Sequence, residues 1–117
     1  MIPALDAILG NRTAAAVLLF LENYDSGYSR EIARTYDMPV SVVQDQLRKL
    51  EASGVLISRS VGRTRVFEFN PRNPTAGRLR QFLSAELAAL PKSIVQQYFQ
   101  ERRRPRRTGK KLESAGN

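Results

Sequence analysis

The apolar positions of the chain follow a helical rhythm, alternate briefly in the manner of strands, and then return to the helical rhythm. Pro3 to Leu9 predicts a short helix with Leu5, Ile8 and Leu9 on one side, ended by Gly10. Asn11 offers an N-cap to a second helix reaching about Asn23, in which Ala14, Val17, Leu18 and Leu21 recur at helical spacing and define a buried face. Asp25-Ser26-Gly27 reads as a turn. Ser29 is placed to cap a third helix, Arg30 to Tyr36, which buries Ile32, Ala33 and Tyr36. Asp37-Met38-Pro39 interrupts it, because proline disfavours a helical conformation in the residue before it and suits a helix's first turn. A fourth helix runs from Val40 to about Ser53, with Val43, Leu47 and Leu50 as one narrow apolar stripe and Gly54 where a left-handed cap is wanted.

Two β-branched or aromatic runs follow, Val55 to Ser60 and Arg65 to Phe69, around the connection Val61-Gly62-Arg63-Thr64. They predict a hairpin whose Phe67 and Phe69 share the inward face at period two. Asn70-Pro71-Arg72-Asn73-Pro74 ends it. Thr75 is placed to cap a fifth helix reaching about Leu90, with Leu79, Phe82, Leu83 and Leu87 apolar and Pro91 stopping it. Ser93 to Glu101 predicts a last turn or two of helix around Ile94, Val95, Tyr98 and Phe99. Beyond Gln100 no apolar residue recurs until Leu112, so residues 102–117 are expected to be a disordered basic tail.

A short helix, a sharp turn, a longer helix and a hairpin, in that order, make the winged helix-turn-helix arrangement. The expected fold is therefore α+β: a mainly helical domain over residues 1–91 with a β-hairpin wing and a C-terminal helix, then a short helical extension over 92–101. The 117 residues suit one such domain. Its longest apolar run, Ala14 to Leu21, falls far short of the roughly 20 residues a membrane span needs. Met1-Ile2-Pro3-Ala4-Leu5-Asp6 lacks the basic and long apolar regions of a secretory signal, so a cytoplasmic location is expected, with no membrane partner.

The chain has no Cys and no His. Disulfides and thiolate chemistry are excluded, and so are nucleophile pairs built on His; a structural zinc site loses its usual ligands. No paired acidic motif suggests carboxylate catalysis, so no enzyme, no metal and no cofactor is expected. The net charge of +8 resides mostly in the tail, where residues 102–117 carry seven Lys or Arg against one acid. The rest is nearly balanced, so a basic surface on the folded part must come from the placement of its charges.

Opposite the buried stripe, the fourth helix presents Ser41, Gln44, Asp45, Arg48 and Ala52. In a major groove Gln can read adenine and Arg guanine, while Ser41 near the helix N-terminus can meet a phosphate. Asp45 either accepts from a cytosine amino group or pairs with Lys49 one turn on. From Ala52 to Phe67 there is no acidic residue, and Arg59, Arg63 and Arg65 surround Gly62. Such a wing would straddle the backbone or insert an Arg into a narrow minor groove. The candidate DNA-binding residues are thus Ser41, Gln44, Asp45, Arg48, Lys49, Arg59, Arg63 and Arg65.

Leu5 to about Leu90 resembles the winged helix-turn-helix regulators of the arsenic-resistance-repressor and multiple-antibiotic-resistance-repressor type. The residues that carry the likeness are Ser29-Arg30-Glu31-Ile32-Ala33, Val43 to Leu47, Leu47-Arg48-Lys49-Leu50-Glu51-Ala52-Ser53-Gly54-Val55-Leu56, and Gly62-Arg63 with Phe67 and Phe69. The resemblance implies a homodimeric, sequence-specific regulator of transcription, a repressor by expectation, joined through the last helix and bound to double-stranded DNA; it leaves any small-molecule effector unnamed. Metal sensing does not carry over, because the Cys and His ligands are missing. Ile8-Leu9-Gly10-Asn11-Arg12-Thr13 and Asn70-Pro71-Arg72-Asn73-Pro74 are also similar to winged-helix modules attached to small nucleotidyltransferases. That likeness keeps a protein-interaction adaptor as an alternative, beside an RNA-binding module.

Overall fold

The computed structural model describes residues 2–99, an α+β arrangement that is mainly helical with one two-stranded antiparallel hairpin. The expected 102–117 tail and the last two residues of the expected 92–101 extension lie outside the described residues. Helix α1, Pro3–Leu9, ends at Gly10, whose φ of 101° a side chain would resist. Helix α2, Arg12–Tyr24, begins at Asn11, whose side chain accepts from the Ala14 N–H at 2.7 Å. The expected single face of α2 is too narrow a description: every residue from Ala14 to Leu21 is buried. A helix apolar all round belongs at the centre of a core, and α2 is that centre. In α1 the expected apolar side is only partly used, with Leu5 buried but Ile8 68% exposed.

Helix α3, Ser29–Tyr36, and helix α4, Val40–Ala52, pack on α2 through Ile32, Ala33, Tyr36, Val43 and Leu47. Ser29 does not cap α3. It is already helical, Tyr28 occupies the cap position in extended conformation, and no side chain bonds there. Between the two helices Asp37 is left-handed at φ 56°, and Pro39 holds the extended conformation from which α4 starts. Gly54, at φ 88°, turns the chain out of α4.

Strands β1, Leu56–Val61, and β2, Thr64–Phe69, pair in the register Leu56↔Phe69 through Val61↔Thr64. The connection is only Gly62-Arg63, with Gly62 at φ 63° in the first central position, where mirror-image two-residue turns place glycine. Phe67 and Phe69 are buried as expected. On its other side β2 pairs with Gly27: the Gly27 N–H donates to Phe67 O at 3.1 Å, and the Phe67 N–H donates to Gly27 O at 2.8 Å. The expected turn at Asp25-Ser26-Gly27 thus ends in a strand-like contact.

Helix α5, Pro74–Ala88, is capped by Asn73 and not by Thr75. The Asn73 side chain accepts from the Thr75 and Ala76 N–H groups at 2.9 and 3.2 Å. The same amide donates to Gly54 O at 3.0 Å, as does that of Asn70. The Asn-Pro-Arg-Asn-Pro stretch therefore staples α5 to the exit of α4. Ala76 and Leu83 bury α5 against the core, whereas Phe82 points outward with 37% of its surface exposed. A final helical turn α6, Lys92–Ile94, leads into a π-helical turn, Val95–Phe99. Tyr98 and Phe99 join Phe20, Tyr24 and Tyr36 in an aromatic cluster, and the Tyr24 hydroxyl donates to Tyr98 O at 2.8 Å.

Among the described residues no single helix is long and apolar enough to cross a membrane, and α1 and α2 meet at a 99° bend.

Candidate nucleic-acid interface

The apolar stripe of α4 turns its polar side away from α2. Val43 and Leu47 are fully buried, and one step around the helix Gln44 and Arg48 reach the surface. The tight turn at Gly62-Arg63 folds the hairpin back so that its tip lies near this polar side. Between them is a concave cleft of about 620 Å³ lined by Gln44 and Arg48 of α4, by Arg63, Thr64, Arg65 and Phe67 of the hairpin, and by Tyr28, Ser29 and Arg30 at the start of α3. Four of these nine residues are arginines and none is acidic. Guanidinium groups so gathered suit planar, bidentate contacts with phosphate or with a base edge, and the Gln44 amide adds one donor and one acceptor group.

Four of the eight expected site residues, Gln44, Arg48, Arg63 and Arg65, therefore line one cleft. Ser41, Asp45 and Lys49 lie exposed elsewhere on α4 and do not line it. The expected Asp45–Lys49 ion pair is not formed among the described residues. Arg59 does not line the cleft either. It extends from the opposite face of the hairpin, 58% exposed, with its Nε 3.7 Å from a Glu68 carboxylate oxygen. The register explains this. A two-residue turn puts Ser60 opposite Arg65 and Arg59 opposite Val66, so Arg59 and Arg65 point to opposite sides of the sheet.

The acid-free run from Ala52 to Phe67 is also bounded in space by the two acids that flank it in sequence. Glu68 reaches Arg59, and Glu51 accepts a hydrogen bond from the Ser58 hydroxyl. Arg65 in turn donates to Ser58 Oγ and to Ser60 Oγ, both at 3.0 Å. Arg30 also lines the cleft and is not among the residues expected there from sequence, although it follows the turn that returns the chain to the hairpin. The signal was a tertiary one: Gly27 is bonded to Phe67, which carries the start of α3 to the hairpin's inner face.

Away from the cleft, Arg80 of α5 bonds Glu22 at 2.7 Å, approaches Asp25 at 3.7 Å and lies 5.2 Å above the Phe69 ring. It ties α5, the end of α2 and β2 together, and its role is internal. No protein-family model and no curated protein matches the chain.

Proposed function

We propose that the protein is a winged helix-turn-helix regulator that binds double-stranded DNA in a sequence-specific way, as a homodimer, and represses transcription. In this reading α3 and α4 are the helix-turn-helix, α4 enters the major groove, and the hairpin is the wing. The single observation that carries it is the cleft between α4 and the hairpin, where Arg30, Arg48, Arg63 and Arg65 gather with Gln44 and without an acid. Phosphate contacts position a protein on a duplex and base contacts specify the site, and this surface offers groups for both. Gln44 and Arg48 are the base readers, for adenine and guanine; Arg63 meets phosphate or the minor groove. Two subunits would place their reading helices about 34 Å apart, one helical turn of DNA.

Enrichment of bound fragments from a random duplex pool tests this directly. The expected result is an enriched motif with two related half-sites, bound more tightly than scrambled duplex at the same salt. A pool that shows no enrichment, with the protein folded, sinks the reading and favours the adaptor.

A further inference from the structure

A chain of hydrogen bonds crosses from the last turns of α4 to the inner face of the hairpin. The half-buried Glu51 carboxylate accepts from the Ser58 hydroxyl. Ser58 Oγ accepts from one terminal nitrogen of Arg65, and Ser60 Oγ accepts from the other, each at 3.0 Å. Arg65 sits directly across from Ser60 and its side chain leans back along β1 toward Ser58, so the guanidinium is held while still lining the cleft. Two of its five N–H donors are engaged in these bonds, which leaves three for an incoming anion.

We propose that Glu51 is a positioning residue for duplex binding: through Ser58 it fixes Arg65 against β1, so that α4 and the hairpin meet the DNA backbone as one preformed surface. The proposal rests on the DNA-binding reading above. Two physical effects follow from it, and they have opposite signs. Holding Arg65 in place before binding removes the entropy loss that a free arginine suffers on contact, which favours the matched, closely docked site. The Glu51 carboxylate also reduces the positive field of the cleft, which weakens loose attraction to any phosphate backbone. Together they widen the gap between specific and non-specific binding. Neither Glu51 nor Ser58 lines the cleft.

The test uses the full chain, a duplex enriched from a random pool by the parent protein, and a scrambled duplex of equal length. Ser58→Ala breaks the chain without changing charge and is expected to weaken binding to the enriched duplex roughly three- to tenfold, the cost of ordering one arginine anew. Binding to the scrambled duplex stays near the parent's, and Ser58→Thr, which keeps the hydroxyl, restores the loss. Glu51→Gln is expected to bind the scrambled duplex more tightly and so to lower the ratio between the two. Without DNA, Ser58→Ala also speeds amide hydrogen exchange across the hairpin tip at an unchanged melting temperature. A parent that enriches a duplex, with Ser58→Ala and Glu51→Gln binding both duplexes as the parent does, overturns the proposal and leaves the DNA reading standing. A parent that enriches none overturns both.

Discussion

At the scale of single residues, Arg48 and Arg63 line the same cleft from different elements, one on a rigid helix and one at the tip of a turn. Replacing Arg48 by Ala is expected to cost about 1–3 kcal/mol on the preferred duplex and to relax the choice at one base pair. Replacing Arg63 by Ala should weaken all duplexes evenly, with the slope of log K against log salt falling by about one; titrations at three salt concentrations separate the two. Asp45, exposed and without an ion pair to Lys49 among the described residues, is the control. Asp45→Ala raises affinity for every duplex by removing a charge that repels phosphates, and a loss confined to one base pair would instead assign it to cytosine. Tyr36 makes a prediction of another kind. Its hydroxyl is buried with no hydrogen-bond partner among the described residues, and burial first, then the neighbouring Tyr24 and Tyr98 phenols, push its pKa well above the ordinary value. A raised acid keeps its proton in the folded state after the unfolded chain has lost it. Stability should therefore be unaffected by this group through neutral pH and decline above pH about 10, where an unfolded tyrosine ionises. Tyr36→Phe should flatten that alkaline decline in urea titrations; an unchanged decline would show that other groups cause it.

At the scale of elements, the order and type of helices and strands were legible in the sequence because each is written in local terms: apolar spacing, a proline between α3 and α4, a glycine after α4. The caps were legible only where the capping side chain stands in the ordinary place, as Asn11 does. Ser29 and Thr75 are good capping types, but Tyr28 and Asn73 hold those positions, because Gly27 is bonded to β2 and the Asn73 amide is anchored on Gly54. The face of Arg59 could not be had from counting arginines around a glycine, since it follows from strand alternation: Ser60 pairs with Arg65, so its neighbour Arg59 points to the other side. Asn73 carries the clearest element-level prediction. It satisfies two N–H groups of α5 and shares with Asn70 the carbonyl of Gly54, so Asn73→Ala is expected to lower stability by about 1–2 kcal/mol. Thr75→Ala, which removes no cap, should cost far less; equal losses in denaturant titrations would refute the assignment.

At the scale of the whole molecule, the charge is divided between a nearly balanced body and residues 102–117, which hold +6 of the net +8. Deleting that segment is expected to weaken binding to all DNA and to make it less dependent on salt, while preference for the enriched duplex persists. A truncated protein that folds but has no preference would move the reader from the cleft to the tail. Another whole-molecule property follows from the pairing of Gly27 with Phe67. These two residues are distant in sequence, and α3, α4 and β1 all lie within the loop their contact closes. Closing so long a loop costs chain entropy that the hairpin's own pairing and the α3–α4 turn do not, so the local units should assemble first and the bridge last. A Cβ at Gly27 would lie 2.5 Å from the Phe20 ring, which makes Gly27→Ala a probe of that final step. In stopped-flow experiments the variant should unfold faster than the parent and refold at nearly the parent's rate. The time for which a folded molecule persists would then be set at the contact between a turn and a strand, at the edge of the cleft that Phe67 and Tyr28 help to line.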